Sequence, residues 1–139
     1  MKKRFIGDLE KKQALKLVRR LLTDMREGWI VVEGQKDRNA LKALACNNVL
    51  TVSGNLRITS KKLSEKDVDK VIVLTDLDSR GDELLVETRE ELERYGISVD
   101  DNIRKQISGV LNVKYFENIE KKYEEFMKEI GDINGKNIH

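Results

Sequence analysis

The sequence predicts an α/β protein: a parallel sheet of about four strands flanked by helices, with extra helices at the two ends. Three observations carry this. Short, almost wholly apolar runs recur at Trp29-Ile30-Val31-Val32, Val49-Leu50-Thr51-Val52 and Val71-Ile72-Val73-Leu74, and such runs fit strands buried on both faces better than strands with one wet face. Between them lie stretches whose apolar residues repeat with helical period. Strands alternating with helices build parallel sheets covered on both sides, joined by right-handed crossovers.

In order, residues 8 to 27 read as a helix. Asp8 is placed to cap it, Leu15, Val18, Leu22 and Met25 share one face, and Gly28 ends it. The first strand, 29 to 32, stops at Glu33-Gly34. A helix at about 37 to 46 turns Ala40, Leu41, Leu44 and Ala45 inward. The second strand, 49 to 52, ends at Ser53-Gly54-Asn55, and a polar helix follows at about 61 to 68. The third strand, 71 to 74, runs into Thr75-Asp76-Leu77-Asp78. A helix at about 82 to 95 places Leu85, Thr88, Leu92 and Tyr95 on one side, with Gly96 as its stop, and Ile97 to Val99 make a weak fourth strand. The last helix, about 115 to 130, carries Ile119, Tyr123, Phe126 and Ile130 as its buried stripe, so its aromatics belong to the core. The expected organisation is one domain over 1–139: an N-terminal helix over 1–27, a core over 28–100 and a helical extension over 101–139.

Composition narrows the chemistry. The chain has 139 residues, 37% charged and 39% hydrophobic, too apolar for disorder and too interrupted by charge for a membrane span. With one cysteine, Cys46, and one histidine, His139, it has no intrachain disulfide, no Cys/His zinc cluster and no histidine-based triad. The start, MKKRFIGDLEKK, lacks an apolar signal region, and a cytoplasmic location is expected. The net charge of +2 hides a division: residues 1 to 62 carry 15 basic and 6 acidic groups, whereas residues 63 to 101 carry 5 and 13. A basic half beside an acidic segment is the electrostatic footprint of a metal-assisted phosphate site, although solvated helix faces produce the same count.

Ligands of open parallel sheets bind at the carboxyl ends of the strands. Glu33 stands at the end of the first strand, Ser53-Gly54-Asn55 at the end of the second, and Asp76 and Asp78 at the end of the third. Two residues apart in extended chain, Asp76 and Asp78 leave on one side and are expected to grip one ion together, with Glu33 completing the set. Clustered carboxylates repel unless a hard cation neutralises them, and an oxygen-only set suits Mg²⁺ or Mn²⁺. The competing structural reading makes Asp78 or Asp82 a helix cap and leaves Glu33 simply solvated.

Val32-Glu33-Gly34-Gln35-Lys36-Asp37, followed by Thr75-Asp76-Leu77-Asp78-Ser79-Arg80-Gly81-Asp82, resembles the Toprim domain shared by topoisomerases, bacterial-type primases, some nucleases and recombination mediators. The likeness covers about residues 28 to 100. It implies a Rossmann-like Toprim fold, with Glu33 as the acid-base glutamate and Asp76 and Asp78 as metal-binding aspartates. Asp82 falls where several members carry a further acid, usually Glu, and the resemblance makes it a further candidate metal ligand beside Glu33, Asp76 and Asp78. The form of the first motif is similar to that of the nuclease that matures 5S ribosomal RNA and to small stand-alone Toprim proteins. The chain has no room for a topoisomerase's tyrosine domain and strand gate, and Tyr95, Tyr115 and Tyr123 sit at helical core spacing or element edges. Nor is a primase's template-binding module expected among these residues.

The resemblance and the residues together imply Mg²⁺- or Mn²⁺-dependent phosphodiester hydrolysis or transfer on DNA or RNA. Asp76 and Asp78 would hold the ion, and Glu33 would act as general base or acid. Lys36, Arg80, Arg38 and Arg57 are the candidates for flanking phosphates, and Gly34, Gly54 and Gly81 for close backbone approach. The alternatives are a nucleic-acid-binding mediator that does not cleave and a subunit that works with a protein partner or a second copy of itself. No membrane partner is expected.

Overall fold

The sheet is built from four short parallel strands, three of which supply β-branched or aliphatic residues to both faces, while the edge strand contributes only Val99. In the computed structural model, which describes Phe5 and residues 7–131, these are β1 (Trp29–Val32), β2 (Val49–Thr51), β3 (Lys70–Leu74) and β4 (Ser98–Asp100), in the order β2-β1-β3-β4. β1 pairs with β2 through Ile30 opposite Val49, and with β3 through Val32 opposite Leu74; β3 pairs with β4 through Ile72 opposite Asp100. The single histidine, His139, lies outside the described residues.

Alternation along the strands separates two cores. Ile30, Val32, Ile72 and Leu74 face one layer, made by α1 (Asp8–Glu27), α2 (Gln35–Ala43), α5 (Asn102–Leu111) and α6 (Ile119–Gly131). Val31, Val71 and Val73 face the other, where α3 (Leu56–Glu65) and α4 (Ser79–Arg94) bring Leu63, Leu85 and Leu92. The chain therefore leaves β1 toward one face and β3 toward the other. Between these adjacent strands lies the topological switch point at which open α/β sheets form their ligand crevice.

The Rossmann-like fold class, the four strands and their order along the chain agree with the sequence expectation. Several details differ. Gly7, not Asp8, is the N-cap of α1, and no side chain caps it. The second helix ends before Ala45, which is exposed with φ +67° at the turn into β2. The polar helix begins five residues earlier than the expected 61, at Leu56, because the Asn55 side chain accepts a hydrogen bond from the Ile58 amide at 3.2 Å and starts the helix there. Tyr95 is exposed rather than inward, since α4 closes at Arg94 and Gly96 turns the chain with φ +74°.

The largest difference is in the C-terminal part. Helix α5, with Ile103, Ile107 and Leu111 buried at helical spacing, stands between β4 and the last helix, a first helix of the expected 101–139 extension whose bounds the sequence reading does not specify. Its start is held by Asp100, whose carboxylate accepts from the amides of Asn102 and Ile103. Asp101 is paired instead with Arg89 at 2.8 Å, and that guanidinium holds its carboxyl below the usual range. The expected 115–130 helix is divided into a 3₁₀ turn, Phe116–Asn118, and α6. Ile119, Phe126 and Ile130 of the expected stripe are fully buried, Phe116 joins them, and Tyr123 is half-buried against the same core. Among the described residues no helix is long and apolar enough to cross a membrane.

Candidate functional site

A cavity of about 470 Å³ opens at the switch point. It is lined by Glu33 to Asp37 from the β1–α2 junction, Val52 to Gly54 after β2, Asp76 after β3, Arg80 and Leu84 on α4, and Glu117. Glu33 and Asp76 meet directly: the Asp76 amide donates to Glu33 Oε2 at 2.9 Å. Burial pushes the Asp76 carboxyl up to about 7, and the adjoining Glu33 and Asp37 carboxyls push the same way, against a backbone hydrogen bond from Phe116 that favours ionisation. That bond, from the Phe116 amide to Asp76 Oδ1 at 3.0 Å, leaves the second carboxylate oxygen as the one not claimed by it.

Asp78 takes a different position from the one its spacing suggests. It is the N-cap of α4, with Oδ1 accepting from the Gly81 amide at 2.7 Å, and it is not part of the cavity lining. The reason is local: the chain bends at Leu77 and Asp78 on its way into α4, and the cap bond draws the Asp78 carboxylate to the Gly81 amide. Asp82, in the first turn of α4, is also outside the lining, and its carboxylate pairs with Arg104 at 2.9 Å. Among the described residues no three acidic, histidine or cysteine side chains form a ready-made metal cluster.

The predicted basic residues divide. Lys36 and Arg80 line the cavity. Arg38 does not; its Nε donates to the Val49 carbonyl at 3.1 Å and ties α2 to β2. Arg57 is exposed on α3, outside the lining. Gly34 and Gly54 line the cavity, and Gly54 turns the chain after β2 with φ +93°. Gly81 lies buried in the first turn of α4, where a Cβ would stand 1.8 Å from the Asp76 carbonyl oxygen, so the requirement there is for close approach. The first turns of α2 and α4 both begin at this site, and the amides of a helix's first turn have no carbonyl ahead of them to bond.

Three residues of the site escape the sequence reading. Asp37 is 7% exposed, accepts from the Gly34 amide at 3.0 Å, and has its carboxyl pushed upward, chiefly by burial and further by Glu33 and Glu117. Its place inside the first motif is the signal that could have found it. Glu117 arrives from the C-terminal segment, which docks on the β3 exit through the Leu77 amide bonded to the Lys114 carbonyl at 2.8 Å. Arg104, 2% exposed, donates from Nε to the Thr75 carbonyl at 2.7 Å and from one terminal nitrogen to the Asp76 carbonyl at 2.5 Å. Nothing in the local sequence marks either of these two.

The donor set here is oxygen only, the Glu33 and half-buried Asp76 carboxyls, which is the chemistry that suits a hard divalent cation. Mg²⁺ retains several waters and requires only one or two protein carboxylates, so a three-acid cage is not needed.

The Toprim domain family profile matches residues 28–110. A UPF0292 protein of Pyrococcus horikoshii is 35% identical over 81 residues, which are 58% of this chain and 61% of that protein. One of Archaeoglobus fulgidus is 35% identical over 98 residues, 64% of this chain and 77% of that protein. One of Methanocaldococcus jannaschii is 32% identical over 95 residues, 67% and 74%. The chain thus spans just under two thirds of the first relative's length and more of the other two. A solved structure of an Aquifex aeolicus protein superposes with a TM-score of 0.64 at 31% identity, covering 75% of this chain and 95% of that one.

Proposed function

The chain belongs to the Toprim domain family and is related to the UPF0292 proteins, and from that premise we propose that it acts on nucleic acid as a Mg²⁺- or Mn²⁺-dependent phosphodiester hydrolase or transferase. The observation that carries the reading is the Glu33–Asp76 carboxylate pair, half-buried at the switch point with Lys36 and Arg80 on the same cavity wall. In this reading Asp76 holds the ion through the oxygen that the Phe116 amide leaves open, and Asp78 offers the oxygen not bonded to the Gly81 amide. Glu33, anchored through Oε2 to the Asp76 amide, has its other oxygen to take a proton from water or return one to the leaving oxygen. Lys36, Arg80 and the first-turn amides of α2 orient the phosphate. When bound, the cation supplies polarisation of a phosphate oxygen and shielding of the charge that develops on it.

The test is incubation of purified protein with labelled single- and double-stranded DNA and RNA, with and without Mg²⁺ or Mn²⁺. Cleavage should require the metal and fall by about 10²- to 10⁴-fold in Glu33→Gln, a change that preserves volume and removes the acid-base group. Wild-type protein that binds nucleic acid but cleaves none of the four under either metal would replace this reading with that of a non-catalytic mediator.

A further inference from the structure

We infer that Arg104 is the positioning residue of this site and that Asp82 serves as its counter-ion, not as a metal ligand; the inference rests on the reading of the site given above. β3 ends at Leu74, so the carbonyls of Thr75 and Asp76 lie beyond the strand ladder, and Thr75 is fully buried. The guanidinium of Arg104 fills both places, with Nε on Thr75 O and a terminal nitrogen on Asp76 O, and the same terminal nitrogen reaches Asp82 Oδ1 at 2.9 Å. Two N–H vectors from one rigid plane meet two successive carbonyls, which a single ammonium cannot reproduce. Arg104 touches the main chain of Asp76 and leaves its carboxylate to the Phe116 amide, so it sets where that carboxylate points without neutralising it.

Asp82 is bound the other way round. Its side chain is 68% exposed, whereas that of Arg104 is 3% exposed. A buried guanidinium needs a negative partner, and Asp82 supplies one at the rim of the α4 first turn. Its pairing accounts for an acid at this point of the second motif without calling on an ion: the Asp82 carboxylate is taken up by Arg104.

Mn²⁺ titration by calorimetry on Arg104→Lys, Arg104→Met, Asp82→Asn and Asp76→Asn tests this, together with amide hydrogen exchange on the metal-free proteins. Both Arg104 variants should bind Mn²⁺ about 10- to 100-fold more weakly, and exchange at the Leu77 and Phe116 amides should accelerate while β1 amides keep their protection. Asp82→Asn should stay within about twofold of wild type for Mn²⁺, because its amide oxygen still accepts from Arg104 and keeps that guanidinium in place. Loss in Asp82→Asn equal to that in Asp76→Asn would make Asp82 a ligand and overturn the inference, as would wild-type affinity and exchange in both Arg104 variants. If Arg104→Met does not fold, Arg104→Lys, which keeps the charge, carries the comparison. If the wild type binds no Mn²⁺, the metal reading itself fails, and the exchange data still decide whether Arg104 holds Asp76.

Discussion

Replacing Gly81 with alanine sets local preference against tertiary geometry. Gly81 lies in the first turn of α4, and helix propensity alone favours alanine over glycine by about 1 kcal/mol. The added Cβ would stand 1.8 Å from the Asp76 carbonyl oxygen and 2.6 Å from its carbon, so the two backbones must part by more than an ångström. Both are pinned: the Gly81 carbonyl accepts from Thr75 Oγ1 and its amide donates to Asp78, while Asp76 is held by Arg104 and Phe116. Forced overpacking costs about 1–3 kcal/mol and each lost hydrogen bond about 1 kcal/mol, which leaves a net destabilisation of about 2–4 kcal/mol after the helix gain. For a chain of this size that is a fall in Tm of about 10 °C. Thermal melts followed by circular dichroism provide the assay, with Gly109→Ala as control. Gly109 lies in α5 with open space around its Cβ position, so that variant should melt at or a few degrees above wild type. A Gly81→Ala protein that melts as high as Gly109→Ala would refute the claim that close approach, not turn geometry, demands glycine at 81.

Three further outcomes follow from the same structure. Because burial raises the Asp76 carboxyl to about 7 in the folded state, the stability linked to its proton is complete below the unfolded value near 4 and is lost as pH rises through 7; metal-free melts should show that decline, and Mn²⁺ affinity should rise about tenfold per pH unit between 5 and 7, flattening above, with both trends absent in Asp76→Asn. Asp78→Ser should keep the α4 cap and melt within about 0.5 kcal/mol of wild type, whereas Asp78→Ala should lose about 1 kcal/mol in denaturant titration. Cys46 is buried and its thiol is pushed up to about 11, chiefly by burial, so native protein should resist thiol-labelling reagents at pH 8 and react only on unfolding.

Much of the site was legible because the chain's local patterns and the general rule for parallel sheets converge. Glu33 and Asp76 end apolar runs that become adjacent strands, and both line the cavity. Lys36 and Arg80 follow them by a few residues and line it too. Spacing alone treats Asp76 and Asp78 alike, whereas the bend at Leu77 and Asp78 and the α4 cap bond set Asp78 apart. Arg38 and Arg57 were indistinguishable from Lys36 and Arg80 by charge alone, and their different positions follow from which side of each helix faces the switch point.

By itself, the sequence determined the alternation of strands and helices, the two-sided burial of the strands and the acids at their carboxyl ends, since periodicity and end residues are local properties. Only the tertiary structure decided that β1 lies between β2 and β3, and therefore that Glu33 meets Asp76 across 43 residues of chain. The same holds for Arg104, which reaches Thr75 across 29 residues, and for the Phe116 amide, which reaches Asp76 across 40. A backbone donor carries no side-chain signature, and a buried arginine looks like any surface charge until packing brings two unpaired carbonyls to it.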